Sequence, residues 1–471
     1  MTKRRGWLLF VLAGVALAVA LRVWIFLSPV GALDADEAVW GLMSHYVLEG
    51  ELPVFFWDQT YGGSHEALLS APVVAIAGMN ELAIRVVPLA LFAIACVLVW
   101  RVGRRIVGEP AAIAAAVFLA VWPPYLVWKS TRAHGFYGAM LVLTLLVLLF
   151  ALRVVERPSR RDAALLGLAA GLAWWAGPLT AAVLLPTAAW LVIHLRAEAL
   201  RLWPAVPGVL VGALPWLVWN LQHDFDSLEP PFGSFGDDYV DHLRTFLFAT
   251  FPAALGLRTP YSLDWVVPEL AARVVSVVAL LFLCSMLLRD SRRRLLGAIA
   301  VTYPFVQALS PFSSLNAEPR YLVLLAPVIA LGLADLVGRR LASAALATLV
   351  VTALSAVGIH QLNEQRPVVP PVGEVRVPAD LGQVLRTLER LGIDRARAHY
   401  AIAYRLTFES DERIIASPRR RSRRREYDVL VARDPRPAYV AVRGSPADRL
   451  FTRPGYRRIV AGDWAVYVPP Q

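Results

Sequence analysis

The chain has 471 residues, of which 57% are apolar and 18% charged. A soluble globular chain has about 45–50% apolar and about 25% charged residues, so this composition excludes disorder and argues against an ordinary soluble enzyme. The formal net charge is +11, but the arginines sit between apolar runs, which points to membrane topology rather than nucleic acid.

The apolar runs predict about eleven spans, near 7–27, 82–100, 111–128, 135–152, 163–177, 179–195, 204–221, 266–288, 295–311, 321–337 and 341–360. A helix needs about 17–25 residues to cross roughly 30 Å of hydrocarbon. Basic residues crowd alternate connections: Lys3-Arg4-Arg5, Arg101 to Arg105, Arg153 to Arg161, Arg196 and Arg201, Arg289 to Arg294, and Arg339-Arg340. Such excess marks the cytoplasmic side. The amino terminus is therefore expected in the cytoplasm and the carboxyl-terminal segment outside the cytoplasmic (inner) membrane. Cys96 and Cys284 lie inside apolar runs, so no disulfide is expected.

Two outer connections are long, 28–81 and 222–266. Within the first, apolar spacing predicts a helix over 37–48 lying in the membrane interface, and 67–78 reads as a short interfacial or re-entrant helix. Composition shifts after residue 362. Pro367, Pro370 and Pro371 form a linker, followed by a helix near 380–391 and strands near 412–416, 428–432, 438–442, 456–460 and 464–468. The expected fold is mainly α: a multi-spanning transmembrane domain over 1–362 and a small extracytoplasmic α/β domain over 363–471. The run Arg419 to Arg421 with Arg423 to Arg425 reads as a solvated loop, or as a contact for anionic lipid head groups.

Asp34, Asp36 and Glu37 directly follow the first span. Carboxylates at a membrane interface are costly to desolvate, so the three need water, a cation or a partner. Asp36 is also placed to cap the helix behind it. Glu66 closes the same loop, and Asp36 and Glu66 are expected to converge. A carboxylate pair can hold a divalent cation while one member acts as general base. Lys129, Arg132 and His134 form a basic group on an otherwise acidic face, suited to phosphate. Glu318-Pro319-Arg320-Tyr321 puts a cation and a tyrosine at the outer end of the tenth span, and His223 follows the seventh. No Walker A, GxGxxG, HExxH or CxxC pattern occurs, so a nucleotide cofactor has no support.

These residues together resemble the GT-C glycosyltransferases, most nearly glycosyltransferase family 39, the protein O-mannosyltransferase and aminoarabinose-transferase type. The motifs are Asp34-Ala35-Asp36-Glu37-Ala38, Tyr61-Gly62-Gly63-Ser64-His65-Glu66-Ala67 and Glu318-Pro319-Arg320-Tyr321, within roughly 7–340. The resemblance implies a GT-C-like fold and transfer of a sugar from a polyprenyl-phosphate donor to a glycan, lipid or protein acceptor outside the membrane, with inversion. It implies catalysis by Asp36 within Asp36-Glu37, with Asp34 able to take either role. It implies metal ligands at Glu66, Asp36 and His223 for a divalent cation such as Mg or Mn. Phosphate and sugar contacts fall to Lys129, Arg132, Arg320, Tyr321 and Tyr61. A transporter or lipid flippase is the alternative. It would place its ionisable residues at mid-membrane in broken helices, whereas these acids lie at the outer interface. A non-catalytic assembly partner is the third reading, and it would tolerate loss of Asp36 and Glu66.

Overall fold

The computed structural model describes residues 2–230, 234, 236–260, 262–314, 319–338, 340–365, 376–418 and 422–470. Glu318, the proline linker and Arg419 to Arg421 lie outside the described residues. Helices build the first three-quarters of the chain: α1 (Thr2–Phe26), α2 (Ala35–Leu48), α3 (His65–Ala77), α4 (Glu81–Ile106), α5 (Glu109–Val121), α6 (Pro124–Lys129), α7 (Phe136–Glu156), α8 (Arg160–Ala176), α9 (Ala181–Leu195), α10 (Ala205–Gly212) and α11 (Leu214–Gln222). Beyond the second long connection come α12 (Tyr239–Thr245), α13 (Phe251–Ala254), α14 (Glu269–Ser285), α15 (Ser291–Ala308), α16 (Ala326–Val337) and α17 (Leu341–Gln365).

A helix lies in each of the eleven predicted spans, but among the described residues six helices are long and apolar enough to cross a membrane by length and composition. The pair α10 and α11, bent by 60°, makes a seventh if counted as one span. Shorter apolar helices, α5 and α16 among them, fall below that length. The protein is a multi-pass membrane protein built on these spans.

The carboxyl-terminal unit carries α18 (Gly382–Arg390), β1 (Arg395–Ala398), α19 (Tyr400–Glu409), β2 (Ile415–Pro418), α20 (Arg425–Arg433), β3 (Ala438–Val442), α21 (Pro446–Arg449), β4 (Arg457–Ala461) and β5 (Trp464–Val468). Its sheet runs β2-β1-β3-β5-β4. The β2-β1-β3 half is parallel and the β3-β5-β4 half antiparallel. The strand expected at 428–432 is instead helix α20. Tyr427 and Val431 are buried one helical turn apart, so the spacing is that of a helix rather than a strand. The strand expected at 412–416 begins three residues later, after a turn.

The helix expected at 37–48 forms as α2, but it does not lie on the lipid surface. Ala38, Val39, Trp40, Leu42 and Met43 are all buried. One side packs on the membrane helices; the other is covered by Tyr404, Phe408, Tyr427 and Val431 of the carboxyl-terminal unit. An apolar stripe reads the same from sequence whether lipid or protein covers it.

Gly41 faces this contact, and a methyl group at that position would overlap the ring of Phe408. Alanine favours a helix over glycine by about 1 kcal/mol. Overpacking costs about 1–3 kcal/mol. Gly41→Ala is thus expected to lower the thermal midpoint and expose the carboxyl-terminal unit to limited proteolysis. A raised midpoint with unchanged protease resistance would contradict this packing.

Candidate active site

Helix α2 starts on a capping box. The Asp34 side chain accepts from the Glu37 backbone N–H at 2.9 Å, and the Glu37 carboxylate accepts from the Asp34 N–H. Successive residues turn by about 100° around a helix, so Asp34 and Glu37 share one side while Asp36 faces another. The three acids therefore meet different partners.

Glu37 is fully buried. Arg85 of α4 donates to it through Nε and Nη2, both at 2.8 Å. Arg132 Nη2 lies 2.6 Å away, and the Ala133 N–H donates at 3.1 Å. Burial pushes the Glu37 carboxyl up, but Arg132 and Arg85 outweigh it and hold the group below its ordinary range. Every lone pair is directed at a protein donor, so Glu37 is an anchor and not the catalytic group expected beside Asp36. Arg132 is held in the same network. Its guanidinium is buried against Asp34, Glu37 and the carbonyls of Val30 and Ala32.

Asp34 also accepts from His134 Nε2 at 2.7 Å. Lys129 Nζ donates to His134 Nδ1, and lysine has only donors, so His134 carries its proton on Nε2. Burial raises the Asp34 carboxyl, and His134 with Arg132 brings it well below the usual range. The ligand atoms of Asp34, Glu37 and His134 lie within 4.8 Å of one another, the one such group among the described residues. A divalent cation does not fit there: Arg132 Nη2 already touches both carboxylates, and Lys129 occupies the second imidazole nitrogen.

Nor does the structure gather Asp36, Glu66 and His223. Glu66 is buried at the start of α3, and its Oε1 accepts from the Gly138 N–H at 3.1 Å. It lines a small separate cavity with Lys129, Arg132 and His134. His223 is exposed at the end of α11, stacked on Trp219 at 4.1 Å. No contact joins either residue to Asp36 among the described residues.

Asp36 instead opens onto a cavity of about 610 Å³. Drug-sized and cofactor-sized ligands occupy cavities of about 300–1,000 Å³. Asp36 is the one carboxylate lining it among the described residues. Tyr61, Arg320 and Tyr321 line the same cavity. Lys129 lies on smaller cavities alongside. The loop that carries Tyr61 is stitched to the end of α8: Trp175 Nε1 donates to the Val54 carbonyl at 2.8 Å and the Gly63 N–H to Ala176 at 3.0 Å. Trp174, Trp175 and Trp216 give the far wall an apolar face.

Two residues of the carboxyl-terminal unit bear on this site, Arg423 by lining the cavity and Tyr400 by bonding Asp36, and sequence reasoning missed both. The Tyr400 hydroxyl donates to Asp36 Oδ1 at 2.5 Å. Arg423 lines the cavity and donates from Nε to the Tyr400 oxygen at 3.2 Å. The neighbouring Arg424 clamps the unit down, with a two-pronged pair to Glu51 at 2.8 Å and its guanidinium 3.6 Å over the Tyr46 ring. The one available signal was composition: Arg423 and Arg424 belong to a run of basic residues.

Residues 67–219 match a family model described as dolichyl-phosphate-mannose-protein mannosyltransferase. No curated protein matches the chain in sequence. Among solved structures, ArnT from Cupriavidus metallidurans, bound to undecaprenyl phosphate, superposes with a TM-score of 0.68 at 13% identity, over 98% of this chain and 99% of that one. The archaeal oligosaccharyltransferase AglB from Archaeoglobus fulgidus, in complex with an inhibitory peptide and a dolichol-phosphate, gives 0.51 at 11% identity, over 93% of this chain and 70% of that one. The chain thus has the fold of the GT-C glycosyltransferases, the class its motifs resemble.

Two outcomes follow from the anchors. Glu37→Gln leaves two buried arginines short of charge, a loss of about 3–5 kcal/mol. Its thermal midpoint is expected to collapse, and a wild-type midpoint would contradict the anchoring role. Burial pushes the Glu66 carboxyl from its ordinary 4.5 up to about 8. Folding therefore favours its protonated form, and that contribution is complete below pH 4.5 and declines as pH rises through 8. Glu66→Gln is expected to flatten this decline in a series of midpoints across pH; an unchanged slope would contradict it.

Proposed function

We propose that the protein transfers a sugar from a polyprenyl-phosphate donor to an acceptor hydroxyl on the outer face of the cytoplasmic membrane, with inversion and with Asp36 as general base. The observation that carries this reading is the cavity: one carboxylate, Asp36, faces the guanidinium groups of Arg320 and Arg423 beside an aromatic, apolar wall. Asp36 takes the acceptor hydroxyl proton as that oxygen bonds to the anomeric carbon. The bond from the anomeric carbon to the phosphate oxygen breaks, and polyprenyl phosphate departs with the electron pair. Arg320 and Arg423 are positive charge placed in advance for that phosphate. Tyr61 and Tyr321 offer faces for the sugar, and the tryptophan wall suits the isoprenoid chain. The amino terminus is cytoplasmic, eleven segments span, and the carboxyl-terminal unit is outside.

Asp34 and Glu37 already have their charge paired with arginine. This favours a transferase over an ion-driven flippase. It also makes a divalent cation unnecessary, and transfer is expected to persist in excess EDTA; full loss on chelation and recovery with Mg or Mn would contradict that.

The direct test is to incubate purified protein with candidate polyprenyl-phosphate sugars and follow released polyprenyl phosphate. Asp36→Asn should lower release by about 10²–10⁴-fold, the usual worth of a general base, with an unchanged thermal midpoint. Wild-type release by Asp36→Asn would remove Asp36 from that role.

A further inference from the structure

Asp36 has two oxygens, and a base works best when one is held and the other is presented. Tyr400 Oη donates to Oδ1 at 2.5 Å. Tyr400 is itself fixed. It opens α19 directly behind His399, whose side chain accepts from the Ala401 N–H at 3.2 Å. Arg423 Nε donates to the Tyr400 oxygen, so the Tyr400 proton has one outlet, the carboxylate. Arg423 in turn lies 5.0 Å over the Phe56 ring, with the Gln59 oxygen facing its Nη1 at 3.0 Å.

This chain of contacts crosses from the outer loop to a unit more than three hundred residues away in sequence. The unit is seated by the Arg424–Glu51 pair and by Phe408 against Gly41. We propose that the carboxyl-terminal α/β unit completes the active site, with Tyr400 as the positioning residue that holds one oxygen of Asp36 and leaves the other for the acceptor hydroxyl. The inference rests on the transferase reading above. The other titratable and charged groups on the cavity are Tyr61, His134, Tyr137, Arg320 and Tyr321. None of them makes a hydrogen bond to Asp36 among the described residues.

The experiment follows polyprenyl phosphate release from the full chain. Tyr400→Phe keeps the ring and removes the donor. It is expected to lower kcat about tenfold or more with the donor KM within about twofold. A fold-only role would lower the fraction of active protein, counted by titrating active sites, and leave the kcat of that fraction unchanged. Wild-type kcat overturns the proposal. A second pair of variants covers loss of docking. Arg424→Glu should abolish release, and adding Glu51→Arg should restore a substantial part. Full release by Arg424→Glu while protease frees the unit also overturns it. A wild-type protein that releases no lipid phosphate from any polyprenyl-phosphate sugar overturns the transferase reading and this proposal with it.

Discussion

The buried ion pairs around Glu37 fix the geometry of the connection that follows α1. Moving a carboxylate and two guanidinium groups out of water costs several kcal/mol per ion, and only close, multiply hydrogen-bonded geometry offsets that. Here Arg85 is two-pronged and Arg132 bridges Glu37 to Asp34. A network with these demands permits one rotation of α2. With Glu37 and Asp34 turned inward, the residue between them is turned elsewhere. Of the three acids Asp36 alone is left to face the large cavity, and the pairing of its neighbours is the reason the proposed base is Asp36.

The second constraint comes from the far end of the chain. Helix α2 would expose half its apolar surface if only the membrane helices covered it. The carboxyl-terminal unit covers the rest with Tyr404, Phe408, Tyr427 and Val431; Tyr46 donates to Glu412 across the contact, and Tyr427 donates to the same carboxylate from within the unit. Burial on two sides explains why α2 is ordered by packing rather than by a lipid surface. It also brings Tyr400 and Arg423 to a site assembled from the connection between α1 and α3, the start of α7 and the segment before α16.

Much of the frame was legible in the residues. Apolar runs located the helices, and the spacing in 37–48 and 67–78 located α2 and α3. Asp36, Tyr61, Arg320 and Tyr321 were singled out and all line one cavity. What failed was partner choice. Three acids in four residues carry no sign of which will meet arginine, because Arg85 and Arg132 arrive from other helices. Glu66 sits in the motif beside Tyr61, yet it turns to the Gly138 backbone and away from Asp36. The run 428–432 holds Val429, Leu430 and Val431, a short apolar stretch that reads as a strand, but tertiary packing of Tyr427 and Val431 makes it helical. The strand Arg395–Ala398 was missed because four alternating Arg and Ala residues carry little apolar signal.

The account stands on where the donor sits. A cryo-EM structure of Asp36→Asn incubated with an accepted polyprenyl-phosphate sugar tests this most directly. The sugar is expected in the cavity between position 36 and Tyr321, with its phosphate against Arg320 or Arg423 and its isoprenoid along the tryptophan wall. Lipid-sugar density in another groove, with that cavity empty, would contradict the assignment.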